Sequence, residues 1–428
     1  MKKVINRNSA PDIIQVDKIN LIQAQKTVFA NGIHAYSINA GTQDLVKIEW
    51  IFDAGSKFES MPQVAHATNS LLKEGTASFT SAEIAEQLDY YGAFLESNCT
   101  KDKSHIVLYS LNKHLVNVLP ILNEILKQAK FPEKEFAVYK QNSKQKLVVN
   151  NQKVEVLARH HFNELVFGKQ HPYGVITELE HFDNLNLDSI KQFYKQHYTA
   201  SNCSIVVSGL VKDETMQLLN QLFGDGWKSE HPVPKWQVEF TTTNQRTHLI
   251  EKADAVQSAI RIGRILFNRT HPDYFGMQVL NTVLGGYFGS RLMNNIREDK
   301  GYTYGIGSAV ASLQQGGYFF IATEVGVDVC AAAIQEIYFE LKKMREELIP
   351  VEELDLVKNY LLGTFVRSVD GAFAMSEKFN SILEYGLGYD YFDDYLHTIR
   401  TITPERLQQL AITYLQEKDL IELVVGKK

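Results

Sequence analysis

The chain has 428 residues, 44% hydrophobic and 22% charged, a globular balance on a length too great for one ordinary core. Its 44 Lys and Arg against 50 Asp and Glu leave a net charge of −6, which gives no electrostatic case for nucleic acid. The opening M-K-K-V-I-N-R-N-S-A-P-D has no apolar core behind its lysines, and no run approaches bilayer length, so neither a secretory signal nor a membrane is expected. Cys99, Cys203 and Cys330 are far apart and form no C-x-x-C pair, which fits free thiols in the cytoplasm.

In chain order, Thr27 to Ile38 reads as a hairpin turning at Asn31-Gly32. Val46, Ile48, Trp50 and Phe52 then alternate with Lys47, Glu49 and Ile51, which predicts a strand with one buried face. Helical patterns follow over Gln63 to Lys73 and Thr80 to Tyr91, then a hairpin over Ala93 to Leu111 turning near Thr100 to Lys103. Lys140, Lys144 and Lys146 are spaced as a solvated helix face.

The end of this first half recurs. Asp188 to Gly209 and Glu405 to Gly426 each read as a helix ending in tyrosine, a polar turn, and a Val-Val strand closed by glycine. Pro132, Phe136 and Lys140 share their spacing with Pro350, Leu354 and Lys358. Both matches fall at an offset of 216 to 218 residues, so the chain is read as one unit written twice. The seam is expected near Gly224 to Pro234, dividing the chain into residues 1–228 and 229–428.

In the second half, Val256 to Phe267 reads as a strand, followed by a helix opened by Pro272 with Gly285 as its stop. The run Leu284 to Ser308 joins a glycine-rich bend, a short helix carrying Arg297, and a strand with Tyr302, Tyr304 and Ile306 on one face. That strand begins a hairpin, Tyr302 to Val325, turning at Gln314 to Gly317. The run G-G-Y-F-G-S-R is no phosphate loop, since it follows a helix and lacks G-K-[ST]. The predicted fold is α+β: two homologous halves, each a largely antiparallel sheet with helices packed on one face.

The paired halves, the H-P-Y-G loop at His171 to Gly174, and S-R-L…R-E-D-K-G-Y-T-Y-G occur in the order found in one family. Over nearly its whole length the chain resembles the pitrilysin/insulinase zinc peptidases, the inverted zincins. Active members carry H-x-x-E-H on the first long helix of the first half, with two zinc ligands and a general base, and take a further glutamate from a later helix. The matching helix here reads P-Q-V-A-H-A-T-N-S-L-L-K-E-G-T. His66 survives, but Asn69 replaces the base and Ser70 the second histidine. Phe136 to Val154 contains no acid. No bound metal is therefore expected in this chain, and His66 is read as a helix-face histidine bonded locally or solvated. His160 and His161 are adjacent and point apart, while His171 and His181 lie in expected loops, so no rebuilt site is apparent.

The resemblance leaves one functional pair intact. Arg297 and Tyr304 keep the family's spacing, which implies that Arg297 holds substrate backbone and Tyr304 donates to the scissile carbonyl. Tyr302, on the same expected face, is an alternative to Tyr304. The bland reading makes both tyrosines packing and Arg297 a surface ion-pair partner. The expected function is the non-catalytic subunit of a heterodimeric zinc peptidase, with zinc in a homologous H-x-x-E-H partner and peptides held partly as an added strand. Alternatives are a pseudo-peptidase scaffold or peptide-binding subunit, and an autonomous hydrolase with another metal site. The similarity of the halves also permits a homodimer in isolation.

Overall fold

The computed structural model describes residues 19–227 and 239–428. The N-terminal stretch and most of the expected seam, including the 228/229 boundary, lie outside the described residues.

Two sheets organise the chain. The first is built from β1 (Gln25–Val28), β2 (His34–Asn39), β3 (Leu45–Phe52), β4 (Phe94–Cys99), β5 (Ser104–Leu111) and β6 (Cys203–Gly209), in the order β1-β2-β6-β3-β5-β4. The second holds β7 (Thr247–Glu251), β8 (Gln257–Leu266), β9 (Ile306–Leu313), β10 (Gly316–Gly326) and β11 (Ile421–Gly426), in the order β7-β11-β8-β10-β9. Without β1 the two orders correspond strand for strand. Pairing is antiparallel except for β2 with β6 and β7 with β11. The sequence repeat is thus also a topological repeat. In both copies a helix, Leu187–His197 or Pro404–Tyr414, leads into the strand inserted second from one side of this common order. The closing glycines Gly209 and Gly426 take φ of +119° and +134°, which favours a residue without Cβ.

The local elements follow from local chemistry. Gly32 takes φ +91° in the turn between β1 and β2. Thr80 accepts from the Glu83 N–H, and the Glu83 carboxylate accepts from the Thr80 N–H, a reciprocal cap opening the helix Ser81–Tyr90. Pro132 and Pro350 both stand immediately before helices, Glu133–Asn150 and Val351–Arg367. The helix Tyr274–Asn281 does not stop at Gly285. It continues as a π-helical turn, Thr282–Gly286, ending one residue beyond; Gly285 lies so close to β9 that a Cβ would stand 2.6 Å from Ser308 Oγ, which favours glycine there.

The first core lies under Trp50 and Phe52, fully buried against the helices of the same half. The second gathers Ile260, Leu280, Phe319 and Ile337 in the corresponding way. The opposite sheet faces are covered as well, and there the halves exchange helices. The first-half helix Val154–Phe167 lays Ala158, Phe162 and Val166 on Ala259, Leu423 and Val425 of the second sheet. In return Phe379 and Ile382, from the second-half helix Ala372–Leu383, pack with Ile38, Ile51 and Val206 of the first sheet. Helices therefore cover both faces of each sheet.

This corrects the one-sided strand expected at β3, almost all of which is buried. Lys47 and Glu49 alternate with the apolar residues but face a second protein layer instead of water. Glu49 Oε2 lies 3.5 Å from Lys47 Nζ and accepts from Asn380 Nδ2 at 2.7 Å, while Oε1 is 2.9 Å from His105 Nδ1. Burial opposes ionisation of Glu49, yet the His105 hydrogen bond and the Lys47 charge hold its pKa below the usual carboxylate value.

Candidate functional site

The helix Val64–Leu71 carries the degenerate motif. Its first turn is capped by Glu59, whose Oε2 accepts from the Ala65 N–H at 2.9 Å. Asn69, 1% exposed, donates from Nδ2 to the Tyr198 hydroxyl at 3.1 Å. Ser70 lies beside the hydroxyl of Tyr139 on the helix Glu133–Asn150, a phenol pushed up to about 12 by burial. Both substituted positions have been taken into side-chain packing.

His66 departs from expectation. It is neither bonded locally nor solvated at Nδ1, which is buried without a hydrogen-bond partner among the described residues. Burial, then the charge of Lys101, lower its pKa to about 4. It lines a cavity of ≈ 400 Å³ with Glu59, Gln63, Lys101, Lys169 and His181. Lys101 comes from the turn between β4 and β5 and donates from Nζ to Pro172 O at 2.9 Å. Burial raises the Glu59 pKa to about 7, against the opposing effects of its backbone bonds and Lys101.

This donor set does not fit zinc. Zinc needs three or four Cys, His, Asp or Glu ligands, and an ammonium beside His66 repels a dication. Among the described residues no three His, Cys, Asp or Glu side chains gather to hold a metal. Sequence reading missed Lys101 because nothing in a hairpin turn marks one lysine as meeting a distant histidine.

The H-P-Y-G loop has a packing role. His171 and Tyr173 are buried, and the Tyr173 hydroxyl donates to Asp102 Oδ1 at 2.5 Å. Asp102 also accepts from Lys57 Nζ and from the Gln314 N–H, each at 3.0 Å. The hairpin turns of the two sheets are thereby clamped together across the halves.

Arg297 lies on the π-helical turn Met293–Asp299. Its guanidinium stands 4.6 Å from the centroid of the exposed Phe288 ring, with Nη1 2.9 Å from Glu298 Oε1. Tyr302 and Tyr304 do not share a strand face, because β9 begins only at Ile306. The Tyr302 N–H donates to Ile296 O at 3.0 Å and the ring packs on the second core. Tyr304 is 93% exposed.

The Tyr304 segment is pinned by a threonine that sequence reading passed over. Thr303 Oγ1 donates to Glu324 O at 2.7 Å, accepts from the Gly305 N–H, and lies 3.0 Å from Thr323 Oγ1. Beside it opens a cavity of ≈ 330 Å³ lined by Tyr304, Thr303, Arg261, Glu324 and, from the exchanged helix, Glu155. Arg297 is not among the lining residues.

Sequence models of two domains match the chain: "Insulinase (Peptidase family M16)" over residues 35–175 and "Peptidase M16 inactive domain" over residues 184–361. The chain belongs to peptidase family M16. It is a pitrilysin/insulinase-family member lacking the catalytic motif. Among its relatives, an uncharacterized zinc protease, YmxG of Bacillus subtilis, is 23% identical, with 92% of this chain and 96% of that one covered. A Helicobacter pylori relative named as a non-peptidase homolog is 22% identical over 84% of this chain and 83% of its own. The fold is shared with the crystal structure of a peptidase M16 inactive domain from Pseudomonas fluorescens, at a TM-score of 0.87 and 22% identity, covering 95% of this chain and 98% of that one. A protease from Helicobacter pylori matches at 0.87 and 18%, covering 95% and 100%. Among the described residues of this M16 chain, no helix is long and apolar enough to cross a membrane.

Proposed function

We propose that this M16 chain is the non-catalytic subunit of a heterodimeric zinc peptidase, contributing Arg297 and Tyr304 to a peptide chamber completed by a homologous H-x-x-E-H chain. The observation carrying this reading is the asymmetry between its two motifs. At the helix Val64–Leu71 the substituted residues are absorbed into packing and Lys101 stands beside the surviving histidine. At Tyr304 a nearly fully exposed phenol is held on a threonine-pinned segment at the mouth of a cavity. A packing role would bury that ring. In the chamber, Tyr304 donates its hydroxyl to the peptide carbonyl and Arg297 offers its forked donors to the backbone. Zinc belongs to the partner in this reading. The three unpaired cysteines support a reducing, cytoplasmic setting.

The test is reconstitution. The purified chain alone should hydrolyse no peptide, and activity should appear on mixing with its H-x-x-E-H partner. Tyr304→Phe should lower turnover of the complex by about 10²- to 10³-fold, the usual worth of an oxyanion donor, with assembly unchanged by sedimentation. Full turnover in both Tyr304→Phe and Arg297→Ala complexes would leave only a scaffold role.

A further inference from the structure

The helices of the second half line a half-open aromatic cavity of ≈ 250 Å³, separate from the cavities at His66 and Tyr304. Phe275 enters from the helix Tyr274–Asn281 and Phe365 from Val351–Arg367. Tyr391 and Tyr395 come from Asp390–Thr401, Lys378 from Ala372–Leu383, and Arg269 from the loop after β8. The rings interlock: Phe275 lies 4.7 Å from Tyr391 and 5.4 Å from Tyr395 between centroids, and Phe365 lies 5.8 Å from Tyr395. Such a wall suits an apolar, preferably flat, body.

Two cations border the cavity, and among the described residues neither forms a close ion pair with a carboxylate, although the charges of Glu377 and Glu384 reach Lys378 and Arg269 at longer range. The nearest charged contacts of these acids lie elsewhere: Glu377 is 3.6 Å from Lys47 and Glu384 3.8 Å from His105. Arg269 donates from Nη1 to Ser381 O at 2.5 Å and its guanidinium lies 4.6 Å from the Tyr385 ring centroid. Its Nε is buried without a partner among the described residues, so its donors are only partly used. Lys378 Nζ has the Phe365 ring at 5.6 Å. Burial, then the charge of Arg269, lower the Lys378 pKa. Like charges held beside a half-buried aromatic wall repel, and an anion between them would relieve that repulsion.

We propose that this cavity is a binding site for a small amphipathic carboxylate, its apolar body among Phe275, Tyr391 and Tyr395 and its carboxylate drawn to Arg269 and Lys378. At ≈ 250 Å³ the cavity lies just below the roughly 300 to 1,000 Å³ of most ligand pockets, which limits its guest to about a single-ring acid and excludes a folded peptide. Lysine and arginine are the side chains that recognise a carboxylate by charge and by hydrogen bonding.

The probe is 3-phenylpropionate, titrated into the full-length chain and followed by saturation-transfer NMR and calorimetry. Binding should weaken at least about tenfold for the uncharged 3-phenylpropanamide and for the Lys378→Met variant, the loss of one charge-assisted hydrogen bond, and should survive in Lys378→Arg. Reductive methylation of Lys378 in the wild-type chain should slow when the probe is present, a readout that needs no variant to fold. Equal binding of acid and amide, absence of acid binding at millimolar concentration, or methylation indifferent to the probe would overturn the proposal.

Discussion

Glu59 and His66 lie in one cavity and are buried against opposite charge states. Glu59 rises from 4.5 to about 7, so the folded chain holds more protons than the unfolded chain between those values. Its contribution to stability is fully present below pH 4.5 and lost as pH rises through 7. His66 falls from 6.5 to about 4, so its contribution is present above pH 6.5 and lost as pH falls through 4. Each shift corresponds to about 3 kcal/mol. Glu59→Gln keeps an acceptor for the Ala65 N–H and removes the buried charge. It should therefore gain stability relative to wild type by up to about 3 kcal/mol between pH 4.5 and pH 8, read by urea unfolding at both ends. A pH-independent difference would mean that Glu59 ionises normally. The positions of His66, Asn69, Ser70, Arg297 and Tyr304 were legible because each motif is continuous in sequence. Lys101 and Thr303 were not, since each acts on residues brought to it by folding.

At the scale of elements, β3 shows how a polar period can mislead. Lys47 and Glu49 alternate with Ile48 and Trp50 as a solvent-facing strand would, but the helix Ala372–Leu383 closes over them and Asn380 bonds Glu49 directly. No local pattern announces a layer contributed by residues more than three hundred positions away. Removing one partner of a buried, charge-assisted bond is costly, so Asn380→Ala should lower stability by about 2 kcal/mol in urea unfolding. A change below a few tenths would show that water replaces the amide. The segment before β9 makes the complementary case. The Arg297-to-Tyr304 spacing was readable, whereas the strand expected to carry both tyrosines starts later, leaving Tyr302 in packing and Tyr304 exposed. Thr303→Val removes the hydroxyl that pins this segment. It should reduce turnover of the reconstituted complex several-fold while assembly is retained, and unchanged turnover would separate Tyr304's placement from its anchor.

For the molecule as a whole, the repeat was visible in sequence because the closing helix and strand of each half kept their order and spacing, and the topology is duplicated accordingly. The exchange of covering helices was not visible. A helix reads as amphipathic whichever sheet it covers, and Phe162 and Phe379 carry no mark of whose sheet they serve. This arrangement predicts that residues 1–227 and 239–428, expressed separately, will each expose an apolar sheet face and bind a hydrophobic dye, whereas co-expression should restore a single cooperative unfolding transition. Two independently folded, dye-silent halves would contradict it.

The clasp between Asp102 and Gln314, together with the two traded helices, also bears on how a substrate would enter. Swinging the sheets apart would strip Phe162 from Leu423 and Phe379 from Val206 in one motion, uncovering both greasy seams at once. The protomer is accordingly built to travel as a rigid valve. If the proposed pairing holds, a peptide would be admitted at the rim where this chain meets its partner, and the rate of admission would belong to that meeting surface.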